Sequence, residues 1–234
     1  MILLYKLAIM YLQNPPLKGV TVMKTYPVIT ISREFGAGGT EIGRRVAALL
    51  EIPFYDNEII DLASKESHFD PKLFRKVEET TATNSFLYAI NRLGAGSAYS
   101  MPISDQLYSV QSSIIRTIAD ETPAVIVGRC ADDVLANYTT TVNVFIQAGI
   151  EARVARTMER LTLTESRARA YVRQIDKSRA AYHNFYSDRT WGRRENYDLI
   201  INSDNLDFNV AAVMIRNYVL CVIGDALHEA KQTS

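Results

Sequence analysis

Between Val28 and Ala47 the chain reads VITISREFGAGGTEIGRRVA: β-branched residues, a glycine-rich turn, then a helical pattern. Gly36, Gly38 and Gly39, set around Ala37, withdraw the Cβ atoms that would hold a bulky anion away from the backbone. A helix opening at Thr40 turns unpaired N–H groups and the positive end of its dipole toward the same place. The chemistry such a stretch offers is the cradling of a phosphate, with the Thr40 hydroxyl as a candidate ligand for magnesium. The same residues also satisfy a plain tight turn between strand and helix. The lysine that usually ends a phosphate loop is absent, and Gly39 stands in its place.

A second concentration of chemistry lies farther on. Between Arg153 and Arg194 there are ten arginines and one lysine, with far fewer acids. Arg153, Arg156 and Arg160 fall on one helical face, opposite Val154, Met158 and Leu161, and Arg169, Arg173 and Lys177 follow at helical spacing. For any one of these, pairing with Glu159, Glu165 or Asp176 on a solvated face is the ordinary expectation. As a group they read as cations gathered around an anion.

The elements that must position these residues follow from hydrophobic period. Short apolar runs at Pro27–Ser32, Ile52–Asp56, Pro123–Arg129, Thr141–Ala148 and Tyr197–Ser203 predict five strands, and their continuity suits a parallel sheet covered on both faces. Between them lie helical patterns. The first carries Ile42, Val46, Leu49 and Leu50 on one face; another is capped by Ser104 and carries Leu107, Val110, Ile114 and Ile118. A helix spans Glu151–Leu161, and Thr162-Leu-Thr-Glu165 has the form of a capping box opening a long helix to about His183. The last helix contains FNVAAVMIRNYVLCVI. Residues 67–103 are less regular. Strands alternating with helices predict a three-layer α/β fold.

Composition narrows the class. With 26 basic and 26 acidic residues among 234, no general affinity for nucleic acid or membrane surfaces is expected. Two separated cysteines and three scattered histidines give neither a disulfide framework nor a metal-ligand cluster, which suits a reducing, cytoplasmic setting. Residues 1–23 are expected to be a leader or disordered N-terminus, with Met23 as the natural start.

From about Val28 to Ser203 the chain resembles the cytidylate kinase-like group of nucleoside monophosphate kinases, a branch of the P-loop kinases. In that pattern the first strand is followed by Gly-Pro-Ser-Gly-Ala-Gly-Lys-Gly-Thr, where this chain has Arg33-Glu-Phe-Gly36-Ala-Gly38-Gly39-Thr40-Glu41. The first glycine has become arginine and the lysine has become glycine, so the positive charge stands at the front of the loop. Arg33 either folds over the loop to meet phosphates with a bidentate fork, or pairs with Glu34 or Glu41. Arg44 and Arg45 are second choices. Arg129, in VIVGRCADD, matches the family arginine that holds the acceptor phosphate, with Cys130 replacing an aspartate. Asp132 and Asp133 either orient water around magnesium or form the first turn of a helix. Asp56 matches the opening of the acceptor site, and Leu62 replaces a family arginine there. Asp176 and Arg179 lie near a family Arg-Asp-x-x-Arg stretch.

The resemblance implies a five-stranded parallel sheet flanked by helices, with a kinase core at 24–66 and 104–234. An acceptor-binding insertion at 67–103 and an arginine-rich lid at 153–194 complete it. It implies ATP and Mg2+ as cofactors and phosphorylation of a nucleoside monophosphate, CMP or dCMP first. The residues it assigns to the site are Arg33, Arg129, Arg153 and Arg156 for catalysis, Gly36 to Thr40 for the nucleotide, and Asp56, Arg129, Asp176 and Arg179 for the acceptor. Small-molecule nucleotides are the expected partners, and a homo-oligomer is compatible with the sequence. The competing expectations are a kinase of another small acceptor and a non-catalytic nucleotide sensor.

Overall fold

Five short strands, all paired in parallel, form one sheet in the order β2-β3-β1-β4-β5. The computed structural model describes residues 27–80 and 102–232. The leader expected at 1–23 and the middle of the expected insertion therefore lie outside the described residues. The strands are β1 (Val28–Arg33), β2 (Phe54–Tyr55), β3 (Ala124–Val127), β4 (Thr141–Gln147) and β5 (Leu199–Asn202). The helices are α1 (Gly39–Leu50), α2 (Glu58–Ser67), α3 (Pro71–Thr80), α4 (Ile103–Glu121), α5 (Ala131–Val134), α6 (Ile150–Leu161), α7 (Glu165–Tyr186) and α8 (Phe208–Gln232).

Alternation along the central strands sorts the apolar side chains into two layers. Ile29, Ile31, Val125 and Val127 pack with Ile42 and Val46 of α1 and Ile215 of α8. Val28, Ala124 and Ile126 face the other way, onto Ile59 of α2 and Leu107 and Ile115 of α4. Burying each such aliphatic side chain contributes about 1.5–3 kcal/mol, so the sheet is the rigid reference for everything at its carboxyl end. A third, small cluster is separate from both: Val154 of α6 meets Ala168 and Val172 of α7, with Phe35 packed against them.

Several sequence expectations shift in detail. β1 runs on through Arg33, which pairs in register with Ile146, so this arginine leaves the sheet at its upper rim. Leu49 is 43% exposed, because only Ile42, Val46 and Leu50 of the expected α1 face turn inward. Ser104 is not a cap: α4 begins at Ile103 after Pro102, and Ser104 is buried inside its first turn. The Thr162–Glu165 capping box does not form, since Thr162 ends α6 in a left-handed conformation and Thr164 stands at the N-cap of α7 without a side-chain bond. Part of the irregular stretch is helical. The Asp70 carboxylate accepts the Lys72 N–H at 2.8 Å, Pro71 supplies a preset first position, and Phe74 is buried, which together define α3.

Candidate active site

The glycine loop joins β1 to α1, and its glycines are required twice over. Gly36 and Gly38 adopt φ of 80° and 83°, a region costly for residues with a Cβ. Their neighbours also press close: a Cβ on Gly36 would lie 2.8 Å from the Arg153 carbonyl oxygen, and one on Gly38 would collide with the Phe208 ring. Thr40 lies in the first turn of α1, whose N-cap, Gly38, has no side-chain cap, so the amino end of a twelve-residue helix opens onto the loop.

Two cavities meet over this loop at the carboxyl end of the sheet, where open α/β folds bind ligands. One, of about 510 Å³, is lined by Gly36, Gly38, Gly39, Arg44, Arg156 and Phe208 among others. The second, of about 340 Å³, is lined by Asp56, Arg75, Gly128, Arg129, Cys130 and His183 among others. Both are lined by Arg33, Phe35, Thr40, Arg160 and Arg179. In the second cavity Arg33, Arg75, Arg129, Arg160 and Arg179 face a single acid among the described lining residues, Asp56.

Asp56 is the hub of that cavity. One of its carboxylate oxygens lies 3.8 Å from Arg33 Nη2 and 3.9 Å from Arg129 Nη2. The other accepts the Thr40 hydroxyl at 3.3 Å, and the Asp56 carbonyl accepts Arg129 Nε–H at 3.0 Å. Arg33 thus reaches across the rim from β1 to the end of β2, where it pairs with Asp56, and it borders the second cavity as well as the first. Arg129 is aimed by the backbone: Gly128, Arg129 and Cys130 take φ of 76°, 60° and 55° in succession. A left-handed residue other than glycine costs roughly 1–2 kcal/mol, so the turn is held by its surroundings.

The arginine-rich helices divide into roles that sequence spacing did not separate. Arg153 and Asp176, expected in catalysis and acceptor binding, line neither cavity. Arg153 is buried and ion-paired to Asp176, with Nε 3.4 Å from Glu34 and donating to the Ala148 carbonyl at 2.9 Å. Asp176 also accepts the Phe35 N–H at 2.7 Å. Together they clamp the base of the loop to α6 and α7. Burial pushes the Glu34 carboxyl above its usual range, and the Ala148 N–H and Arg153 only partly offset that. Arg156 lines the first cavity but is spent on carbonyls, donating to Ser203 at 2.6 Å, Asp204 at 3.0 Å and Gly36 at 3.3 Å. Arg179 donates to the Arg33 carbonyl at 2.9 Å and borders both cavities. Arg169 sits on the surface, paired with Glu151 and Glu165.

Asp132 and Asp133 form the first turn of α5 and line neither cavity, which removes them as organisers of magnesium. Asp132 is buried against His183, Oδ2 to Nε2 at 2.9 Å. Burial alone would disfavour the imidazolium, but the bond to Asp132 and the charges of Asp132 and Asp133 outweigh it and raise the His183 pKa. Arg75, His183 and Phe35 were not legible as site residues. Arg160 was visible only as one member of a helical face.

No group of three or more histidine, cysteine, aspartate or glutamate side chains suited to a metal occurs among the described residues. Magnesium in phosphoryl transfer asks for less, typically one or two protein oxygens with water and substrate phosphates completing the shell. The Thr40 hydroxyl and Asp56 carboxylate, already 3.3 Å apart between the cavities, meet that requirement.

Against known families, the model of the cytidylate kinase-like family matches residues 28–205, most of the chain. The chain belongs to the cytidylate kinase-like family. Among solved structures it is similar to an uncharacterized protein from Eubacterium ventriosum ATCC 27560, with 27% identity, a TM-score of 0.62 and coverage of 82% of this chain and 98% of that one. Fainter likenesses include a shikimate kinase from Acinetobacter baumannii in complex with shikimate, at 15% identity and TM-score 0.48, covering 85% of this chain and 95% of that one. A gluconokinase from Sinorhizobium meliloti 1021 shows 12% identity and TM-score 0.48, with 90% and 99% covered. No curated protein matches the chain. Family and architecture together support a phosphotransferase with the P-loop kinase fold. Among the described residues, no helix is long and apolar enough to cross a membrane.

Proposed function

We propose that this protein moves the γ-phosphoryl group of ATP to a small anionic acceptor, a nucleoside monophosphate, with CMP or dCMP as first candidate. The observation that carries the reading is the pair of cavities meeting at Arg33, Thr40, Arg160 and Arg179. A donor triphosphate in the larger cavity lies along the glycine loop and the amino end of α1, and an acceptor in the smaller one lies against Arg129 and Arg75. An acceptor phosphate oxygen attacks the γ-phosphorus in line, the bond to the β–γ bridging oxygen breaks, and ADP leaves. The chain's part is to hold the two reactants in that geometry and to surround the migrating group with guanidinium charge. Arg33 takes the place of the absent loop lysine. Thr40 and Asp56 would hold magnesium, which when bound neutralises charge on the phosphates.

A second reading, a kinase of a small hydroxylated acceptor, has one observation in its favour. Asp56 places a carboxylate beside the shared region, where it would orient a hydroxyl and take its proton. ATP-to-ADP turnover with magnesium, measured against nucleoside monophosphates and against small hydroxy acids and sugars, separates the two. Turnover with CMP is expected, and Arg33→Ala is expected to lower kcat about 10²–10³-fold, as for loss of one transition-state donor. Turnover confined to a hydroxylated acceptor selects the second reading. ATP binding with no turnover on any acceptor overturns both.

A further inference from the structure

Phe35 is the second residue after β1, and its ring stands where the two cavities join. Arg160 Cζ, from the last turn of α6, lies 4.9 Å from the ring centroid, and Arg179 Cζ, from α7, lies 5.5 Å from it. Tyr171 meets the same ring edge-on at 5.2 Å between centroids. The backbone on either side of the ring is fixed, since the Phe35 N–H donates to Asp176 and its carbonyl accepts from Arg153. An aromatic ring held this rigidly, with two guanidinium groups within cation–π range, sets where those groups stand.

We propose that Phe35 is a positioning residue: its ring face holds Arg160 and Arg179 over the junction of the cavities, so that both arginines meet the phosphates there. This rests on the reading of the cavities as donor and acceptor sites. Arg160 is an exposed side chain near the end of a helix, and a long exposed side chain without such an anchor would sample many rotamers. Arg179 already donates to the Arg33 carbonyl, and the ring supplies a second restraint on the same guanidinium. The competing role is packing alone, because Phe35 also covers Val154, Ala168 and Val172. The two roles differ in chemistry: packing needs apolar volume, whereas holding guanidinium groups needs a π face.

The test compares Phe35→Leu and Phe35→Met, which keep apolar volume, with Phe35→Trp, which keeps the ring face. In ATP turnover, both aliphatic variants are expected to lower kcat/KM for ATP about tenfold, and Phe35→Trp to recover to within about threefold of the parent. Binding of inorganic tripolyphosphate gives a readout that needs no turnover. Phe35→Leu is expected to weaken it about tenfold in the parent and markedly less in an Arg160→Met or Arg179→Met background, because the pair is already broken. Equal impairment of Leu, Met and Trp variants, or undiminished effects in the arginine backgrounds, would overturn the proposal, as would Leu and Met variants matching the parent. If the parent itself turns over no acceptor, the proposed function falls, and the tripolyphosphate cycle alone decides whether Phe35 positions the arginines.

Discussion

Replacing Asp176 asks whether the clamp at the base of the loop is a real source of stability. Asp176 makes two distinguishable contributions: its charge pairs with Arg153, and an oxygen accepts the Phe35 N–H at 2.7 Å. Asp176→Asn removes the first and can keep the second, and Asp176→Ala removes both. Taking away one partner of a buried pair costs about 3–5 kcal/mol when the other is left uncompensated. Here Arg153 keeps Glu34 at 3.4 Å, and Asp176 is itself 18% exposed, so the penalty is reduced. A loss of about 2–3 kcal/mol is expected for Asp176→Asn, below the range for a fully buried pair. Leaving the Phe35 N–H without its acceptor adds about 1 kcal/mol in Asp176→Ala. At about 2–4 °C per kcal/mol for a chain of this size, the Tm should fall by about 5–10 °C for Asn and about 2–4 °C more for Ala.

Thermal unfolding at pH 7 followed by circular dichroism reads these shifts directly. Arg169→Met is the internal control: its partners Glu151 and Glu165 are exposed, and an exposed pair contributes about 0–1 kcal/mol. Raising salt should erase what effect Arg169→Met has and leave the Asp176 variants nearly unchanged, since buried pairs are weakly screened. Asp176 variants within about 1 °C of the parent, no more than the exposed control allows, would refute the clamp.

Two further outcomes follow from the same geometry. The His183 pKa is raised in the folded protein, so folding binds its proton more tightly; that stabilisation is fully present below about 6.5, the unfolded value, and is lost as pH rises through the folded pKa. The Tm should therefore decline as pH rises above about 6.5 and through the folded pKa, and His183→Gln should flatten that decline; an unchanged slope would exclude the Asp132–His183 pair as its source. Gly38→Ala would force a Cβ into the Phe208 ring at a φ of 83°, so ATP binding and Tm should both fall, and Phe208→Ala in the same chain should restore part of the Tm. If the double variant is no more stable than Gly38→Ala, backbone strain rather than the ring sets the requirement.

The strands and the glycine loop were legible because their signals are local. Largely apolar runs at 28–32, 124–127 and 142–146 report a sheet covered on both faces, and the closely set glycines report left-handed backbone, which Gly36 and Gly38 adopt while Gly39 begins α1. The division of labour among the arginines was not legible. Arg153, Arg156 and Arg160 share one helical face by spacing, but they meet different parts of the loop and its surroundings. Arg153 meets Glu34 at the loop's base, Arg156 meets the carbonyls beyond β5, and only Arg160 reaches the junction of the cavities. What sorts them is contact with residues distant in sequence, such as the Phe35–Asp176 bond between positions 141 apart. Phe35 was missed for the same reason, since an aromatic in a loop signals nothing until its neighbours are in place.

The missing lysine has a steric side that the sequence shows only as two separate exchanges. Arg33 leaves the end of β1 across the start of α1, and a Cβ on Gly39 would stand 2.5 Å from Arg33 Cβ. Its guanidinium then occupies the space beside Gly128 where another residue's Cβ would fall. An arginine at 33 on this path and a side chain at 39 therefore exclude one another, and the path also requires glycine at 128. The glycine at 39 and the arginine at 33 are thus sterically coupled. In the proposed function the loop's charge is a planar fork spanning β1 and the end of β2, where Asp56 pairs with it.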